Sequence, residues 1–223
     1  MKENCTVVSV GPPGGGKTTL ARTLAARHGV SVLEVGNLLG AEMGRNTPLG
    51  QQIRPYKMAG ELVPSELVKQ VLSRELERID RRCVLFDGFP RAQAQVEILI
   101  QLLKEHSLRL CGVLILDLDA QTAFERIAGR RVCSNCGAIY NVYTQSPKQE
   151  GICDRCGGKL IQREDDRDET VRQRFKTYER ETVPVIEFLK KQFADVIWDE
   201  PQGPAEDLAQ RVWKRLITTM NAD

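Results

Sequence analysis

Gly11-Pro12-Pro13-Gly14-Gly15-Gly16-Lys17-Thr18 follows the apolar run Thr6 to Val10 and leads into Thr19-Leu20-Ala21-Arg22-Thr23-Leu24-Ala25-Ala26. Read together, the three pieces predict a strand, a phosphate loop and a helix. Successive backbone N–H groups and a helix N-terminus form a concave anion site, the glycines let the backbone approach phosphates closely, and Lys17 adds a mobile positive charge. A triphosphate is the expected guest. The pattern G-x-x-x-x-G-K-[ST] specifies nucleotide binding but leaves the reaction open.

Working outward, the unit stands near the start of 223 residues, enough for one large domain with insertions or two small ones. A hydrophobic content of 41% is ample for a core. Lys plus Arg number 32 against 30 Asp plus Glu, so the net charge of +2 gives no reason to invoke a nucleic-acid or anionic membrane surface. Any positive field must be local. Met1-Lys2-Glu3-Asn4 leads into only a short apolar run, no secretory leader is expected, and no apolar stretch is long enough to cross a bilayer. The expectation is a cytoplasmic monomer.

Four of the seven cysteines form Cys133-Ser134-Asn135-Cys136 and Cys153-Asp154-Arg155-Cys156, two Cys-x-x-Cys knuckles separated by 16 residues. Each is followed by glycine, which frees the backbone to curl N–H groups around thiolates, and four sulfurs suit tetrahedral Zn²⁺ with no open position. The ion would be structural. Disulfides, a redox pair or an iron–sulfur site are the other meanings of such spacing, less suited to a cytosolic chain with symmetric knuckles. Cys5, Cys83 and Cys111 lie in or beside apolar strand-like runs and read as small buried hydrophobes.

β-type runs at Thr6 to Val10, Val32 to Val35, Cys83 to Phe86, Gly112 to Leu116 and Val196 to Trp198, most of them short, continuous and apolar, suit strands buried on both faces. Helical patterns alternate with them: Lys17 to His28, Ser65 to Ile79, Ala92 to Glu105, Ala120 to Gly129, Asp168 to Phe193 and Ala205 to Met220. The alternation predicts an α/β three-layer fold, a five-stranded parallel sheet flanked by helices. Two segments interrupt it. Gly36 to Val63 carries short helical pieces, and Val132 to Arg163 holds the knuckles with short β-type pieces such as Ala138 to Tyr143.

The third strand ends in Leu85-Phe86-Asp87-Gly88-Phe89-Pro90-Arg91. An acid at a strand terminus beside a phosphate loop is placed to hold the hydration shell of Mg²⁺. Arg126, Arg130 and Arg131 precede the cysteine segment, and Arg163, Arg167 and Arg174 follow it. Among Asp165, Asp166, Asp168 and Glu169 they could form a solvated ion-paired face. At the two hinges of a flap they would instead enter the cleft on closure. His28 and His106 read as surface or packing residues.

The phosphate loop Gly11 to Thr19, Asp87-Gly88-Phe89-Pro90-Arg91 with Gln95, Gly129-Arg130-Arg131, and Arg163-Glu164-Asp165-Asp166 with Glu169 to Arg174 together resemble the adenylate kinases of the long form with a zinc-binding lid, nearly end to end. That resemblance implies a core (1–33, 64–128 and 167–223), a mobile monophosphate-binding arm (34–63) and a mobile lid (129–166). It implies ATP on Gly14, Gly15, Gly16, Lys17, Thr18, Thr19, Arg130, Ile139, Tyr140 and the backbone near Gln202. The monophosphate, AMP by the same likeness, would lie on Glu61, Leu62, Val63, Gly88, Phe89, Pro90, Arg91 and Gln95, and against positions 35 and 40. Arg163 and Arg174 would bridge the two phosphate chains. Transfer from MgATP would rest on Lys17, Arg91, Arg130, Arg163 and Arg174, with Asp87 orienting metal-bound water, Zn²⁺ on Cys133, Cys136, Cys153 and Cys156, and no catalytic histidine.

One segment departs from the family pattern. Where the family usually shows Ser/Thr-Thr-Gly-Asp-Met/Leu-Leu-Arg, this chain has Glu34-Val35-Gly36-Asn37-Leu38-Leu39-Gly40. Val35 replaces a hydroxyl, Asn37 a carboxylate and Gly40 an arginine. Loss of that arginine alone is worth about one to two powers of ten in AMP affinity. Arg45 and Arg54 are the nearby alternatives, Arg45 about 140° around a helix from position 40. Three other readings follow: a P-loop kinase with a different small acceptor, a nucleotide-binding regulator with impaired transfer, or a zinc ribbon for nucleic acid attached to an NTPase. The few balanced charges of the cysteine segment (Lys148, Arg155 and Lys159 against Glu150 and Asp154) speak against the last.

Overall fold

The computed structural model describes residues 5–80, 83–116, 118–163, 166–192, 196–199 and 204–220, with only the backbone path for Asp168, 196–199, Thr219 and Met220. The main sheet is parallel and consists of β1 (Cys5–Val10), β2 (Ser31–Glu34), β3 (Cys83–Asp87), β4 (Arg109–Leu116) and β8 (Val196–Asp199), in the order β2-β3-β1-β4-β8. β1 is paired on both sides, to β3 and to β4. All six of its residues are buried, which explains the unbroken apolar run, since a central parallel strand has no solvent face.

Successive β1 side chains point to opposite layers. Val7 joins a cluster with Leu20 and Leu24 of α1 (Lys17–His28) and with Leu208 and Val212 of α9 (Ala205–Met220). Val8 joins Leu72 of α4 (Ser65–Leu76), Leu99 and Leu102 of α5 (Gln93–Glu105), and Leu189 of α8 (Val183–Gln192). The three-layer expectation is met. Cys5 and Cys111 are buried and Cys83 packs against them, with hydrogen bonding to Cys111 and then Cys83, and after these burial, pushing the Cys5 thiol pKa up. They behave as packing residues. His28 stacks on Trp213 at 4.1 Å between ring centroids. Among the described residues, no helix is long and apolar enough to cross a membrane.

Several boundaries differ from the sequence reading by one to three residues, and two differences bear on the site. Val35 does not end β2 but begins α2 (Val35–Gly44). Asp168 to Phe193 is not one helix: α7 (Asp168–Thr177) passes through a π-helical turn, Tyr178–Thr182, before α8. Pro184 supplies the reason, because it lacks an N–H and its ring displaces the carbonyl four residues earlier, so the α ladder cannot run through. Residue 193 lies outside the described residues.

The two interruptions form separate pieces. After α6 (Ala120–Ala128), strands β5 (Arg130–Cys133), β6 (Ile139–Asn141) and β7 (Leu160–Ile161) make a small antiparallel sheet of order β6-β5-β7. Among the described residues, its core is Cys133, Ala138, Tyr140, Cys153 and Leu160. The other piece is α2 with α3 (Pro48–Ala59), capped at its start by Thr47, whose hydroxyl accepts from the Gly50 N–H at 3.0 Å. Glu42, buried in α2, ties this piece together: it accepts from Thr47 Oγ1 at 2.6 Å, Arg45 at 3.1 Å and Arg74 of α4 at 3.3 Å.

The Thr47 hydrogen bond, then Arg74 and Arg45, hold the Glu42 carboxyl below its ordinary value of 4.5 against the opposing effect of burial. A lowered folded-state value means stabilisation that is complete above pH 4.5 and lost as the pH falls through the folded value. Glu42→Gln should therefore cost about 1 to 3 kcal/mol at pH 7. Urea unfolding should show that difference shrinking below pH 4, and a difference that persists there would contradict the account.

Candidate active site

The strands β1, β2 and β3 all end at one edge of the sheet, and loops leaving that edge wall a cleft of about 1130 Å³. Ligands of open parallel sheets bind at the carboxyl ends of strands. The loop after β1 is held in shape by Gly14, with φ of 79°. A Cβ there would stand 2.4 Å from the Ala123 carbonyl oxygen of α6, so only glycine lets the loop press against that helix.

Lys17 opens α1 and folds back over the loop, donating from Nζ to the carbonyls of Gly11 at 2.9 Å and Pro12 at 2.6 Å. Desolvation lowers its pKa from the usual 10.5 to about 7; the Arg91 charge adds to the fall, Asp87 opposes it, and Arg174 and Arg130 add to it. Asp87, at the end of β3, accepts from Thr18 Oγ1 at 2.6 Å and Ser9 Oγ at 3.2 Å. A carboxylate and a hydroxyl side by side beside a phosphate loop are hard oxygen donors of the kind Mg²⁺ takes.

Arginines form another part of the wall. Arg91 donates from Nε to the Gly88 carbonyl at 2.5 Å, its backbone N–H donates to Gln95 Oε1 at 2.8 Å, and its carbonyl accepts from Thr182 Oγ1 at 2.9 Å. The π-helical turn thus fixes the base of Arg91. Arg130 grips the Asp166 carboxylate through Nε and Nη2, and Arg174 reaches the same group at 3.2 Å. Asp166 is 0% exposed. It belongs to an enclosed anchor, not to the solvated ion-paired face considered for this segment. Arg163 donates to Asn37 Oδ1 at 3.3 Å, and Asn37 in turn donates to Glu34.

The cleft wall includes Gly14, Gly15, Gly16, Thr18 and Thr19 on one side, and Val35, Glu61, Leu62, Val63, Gly88 and Gln95 on the other. Ile139 and Tyr140 also line it. The Tyr140 hydroxyl, however, is engaged by the Asp154 N–H at 2.8 Å and lies 3.5 Å from Cys153 Sγ. The wall does not include Gly40, Phe89 or Pro90. Phe89 is 0% exposed and packs on Phe86, and its neighbour Pro90 is buried as well, so both are core residues. Gln202 lies outside the described residues.

Neither Arg45 nor Arg54 supplies the cation missing at position 40: Arg45 pairs with Glu42, Arg54 is exposed, and neither lines the cleft. Lys57 does line it, and the sequence reading missed it. Its signal was helical spacing, since Lys57 follows the buried Ile53 by four positions and Gly50 by seven in α3. Arg22 and Glu34 were also missed. Arg22 holds Glu34 through Nε at 2.5 Å and Nη2 at 2.8 Å, and donates from Nη1 to the Gly137 carbonyl at 2.7 Å.

The four knuckle sulfurs lie within 4.8 Å of one another. Cys133 and Cys156 are 3.5 Å apart, Cys136 and Cys153 3.6 Å. A tetrahedron of thiolates 2.3 Å from a central zinc has edges of about 3.8 Å. The set fits such an ion. Gly137 and Gly157 close the two knuckles with φ of 70° and 69°.

A family profile described as adenylate kinase matches residues 9–194. An adenylate kinase of Thermococcus kodakarensis is 39% identical over 210 residues, covering 94% of this chain and 91% of that protein. One from Streptomyces avermitilis is 40% identical over 212 residues, covering 94% and 96%. One from Archaeoglobus fulgidus is 37% identical over 211 residues, covering 94% and 95%.

Lys17 generates a measurable consequence. At pH 8 an ammonium with a value of about 7 is mostly neutral, whereas a bound polyphosphate favours its charged form. ATP binding at pH 8 should take up to about one proton. Calorimetry in buffers of differing ionisation enthalpy should show this uptake, and Lys17→Met should abolish it.

Proposed function

The chain belongs to the adenylate kinase family and is a nucleoside monophosphate kinase, an ATP:AMP phosphotransferase; from that footing we propose how its cleft divides the work. ATP sits with its phosphates on residues 14–19, Lys17 and Arg130, and its base toward Ile139 and the backbone of Tyr140. AMP takes the opposite wall: Val35, the segment Glu61 to Val63, Gly88, Arg91 and Gln95. Arg163 and Arg174 lie against both phosphate chains. Residues 34–63 act as an arm and 129–166 as a lid on a core made of 1–33, 64–128 and 167–223, and the protein works as a monomer.

The observation that carries this reading is the convergence of Lys17, Arg91, Arg130, Arg163 and Arg174 on one cleft that also holds the phosphate loop and Asp87. The acceptor is already an ionised phosphate, so its oxygen needs no general base. The barrier falls through alignment and through positive charge spread over the transferring phosphoryl group. Mg²⁺ arrives with ATP and supplies further neutralisation of the phosphate oxygens; Thr18 and Asp87 are the residues that would face it. Arg130 and Arg174, oriented by Asp166, keep their donors aimed at the phosphates instead of relaxing toward water. Closure of the lid excludes water that would otherwise compete as acceptor.

A coupled assay of MgATP against AMP, CMP, UMP, GMP and their deoxy forms tests the assignment. AMP should give ADP fastest, and no diphosphate from any acceptor would overturn it.

The ion on Cys133, Cys136, Cys153 and Cys156 is Zn²⁺ with a structural task, because a module with so small a core among its described residues cannot bury enough apolar surface to fold alone. Cys153→Ser should lose the bound zinc by elemental analysis and lower Tm by at least about 5 °C. Unchanged metal content and melting would contradict the role.

A further inference from the structure

We infer that Lys57 grips the phosphate of the nucleoside monophosphate acceptor and thereby sets how well that acceptor binds; the inference rests on the acceptor wall proposed above. Lys57 lies in the last turn of α3, half-buried and lining the cleft. Its Nζ donates to the Gly36 carbonyl at 2.7 Å. Arg91 approaches the same residue, for a Cβ built on Gly36 would meet Arg91 Nη2 at 3.9 Å. Two cations, one from α3 and one from the loop after β3, therefore converge on a single residue in the first turn of α2.

Position 40 explains why the lysine can be there. Gly40 stands one turn further along α2, and the nearest atom to a Cβ built on it is Lys57 Nζ, at 3.6 Å. The ammonium stands at van der Waals distance from that position, so α3 brings a charge beside the point where α2 carries none. A phosphate arriving between Arg91 and Lys57 gains a charge-assisted donor from each, and the flexible lysine stem lets its compact charge follow the ligand.

Steady-state kinetics of the full chain test this. Lys57→Met keeps most of the stem and removes the charge. The KM for AMP should rise about ten- to a hundredfold, while kcat stays within about threefold and the KM for ATP does not move. Lys57→Arg should retain most of the affinity. Adenosine lacks the phosphate, so its inhibition constant against AMP should be the same for the parent and Lys57→Met, which separates a grip on phosphate from a contact with the base or a packing defect. An unchanged KM for AMP, an equal loss of adenosine binding, or a loss in Lys57→Arg as deep as in Lys57→Met overturns the inference. A parent protein that makes no diphosphate from any monophosphate overturns the acceptor-wall reading instead.

Discussion

Cations crowded into one cleft repel one another, and the low dielectric of a walled site makes the repulsion stronger than it would be in water. This chain holds them in place with fixed acids. Asp166 is fully enclosed, so its charge must be paired; Arg130 and Arg174 pair it from two sides. Asp87 sits at the end of a central strand, fixed by Ser9 and Thr18. A guanidinium carries five donors, and Asp166 engages two of those on Arg130. The same group can therefore be anchored behind and still present donors in front.

Lys17 shows the cost of this arrangement and its use. Without an anion, desolvation and the charges around it drive the ammonium toward neutrality. A polyphosphate reverses both effects at once. Charge in the cleft is thus matched to the ligand and poorly matched to its absence, which favours nucleotides with several ionised phosphates over neutral molecules of similar shape.

Contiguous patterns were the legible part of this chain. The phosphate loop, the paired knuckles and the apolar central strands each lie within a few residues and answer to one local rule, and the structure has them where the sequence put them. Contacts made over long separations were not legible. Arg22 and Gly137 are 115 residues apart, and Lys57 reaches Gly36 from another helix. Asp166 looked like one acid in a charged run, and only packing made it an anchor. Val35 is a strand-favouring residue directly after Val32-Leu33-Glu34, so nothing local marked the change from strand to helix, whereas the break around residues 178–182 had a visible cause in Pro184 that the long helical periodicity outweighed. At position 40 the residue types showed that something was missing but not which side chain had moved in.

Arg22 ties three parts of the molecule with one planar group. Its two bonds to Glu34 set the direction in which Nη1 points, and Nη1 meets the Gly137 carbonyl just past the first cysteine knuckle. The seating of the cysteine module over the sheet is in this way inherited from the last residue of β2, at the root of α2. One guanidinium thus couples the phosphate-loop helix, the end of β2 and the cysteine module, so a change at position 22 would be felt in all three at once.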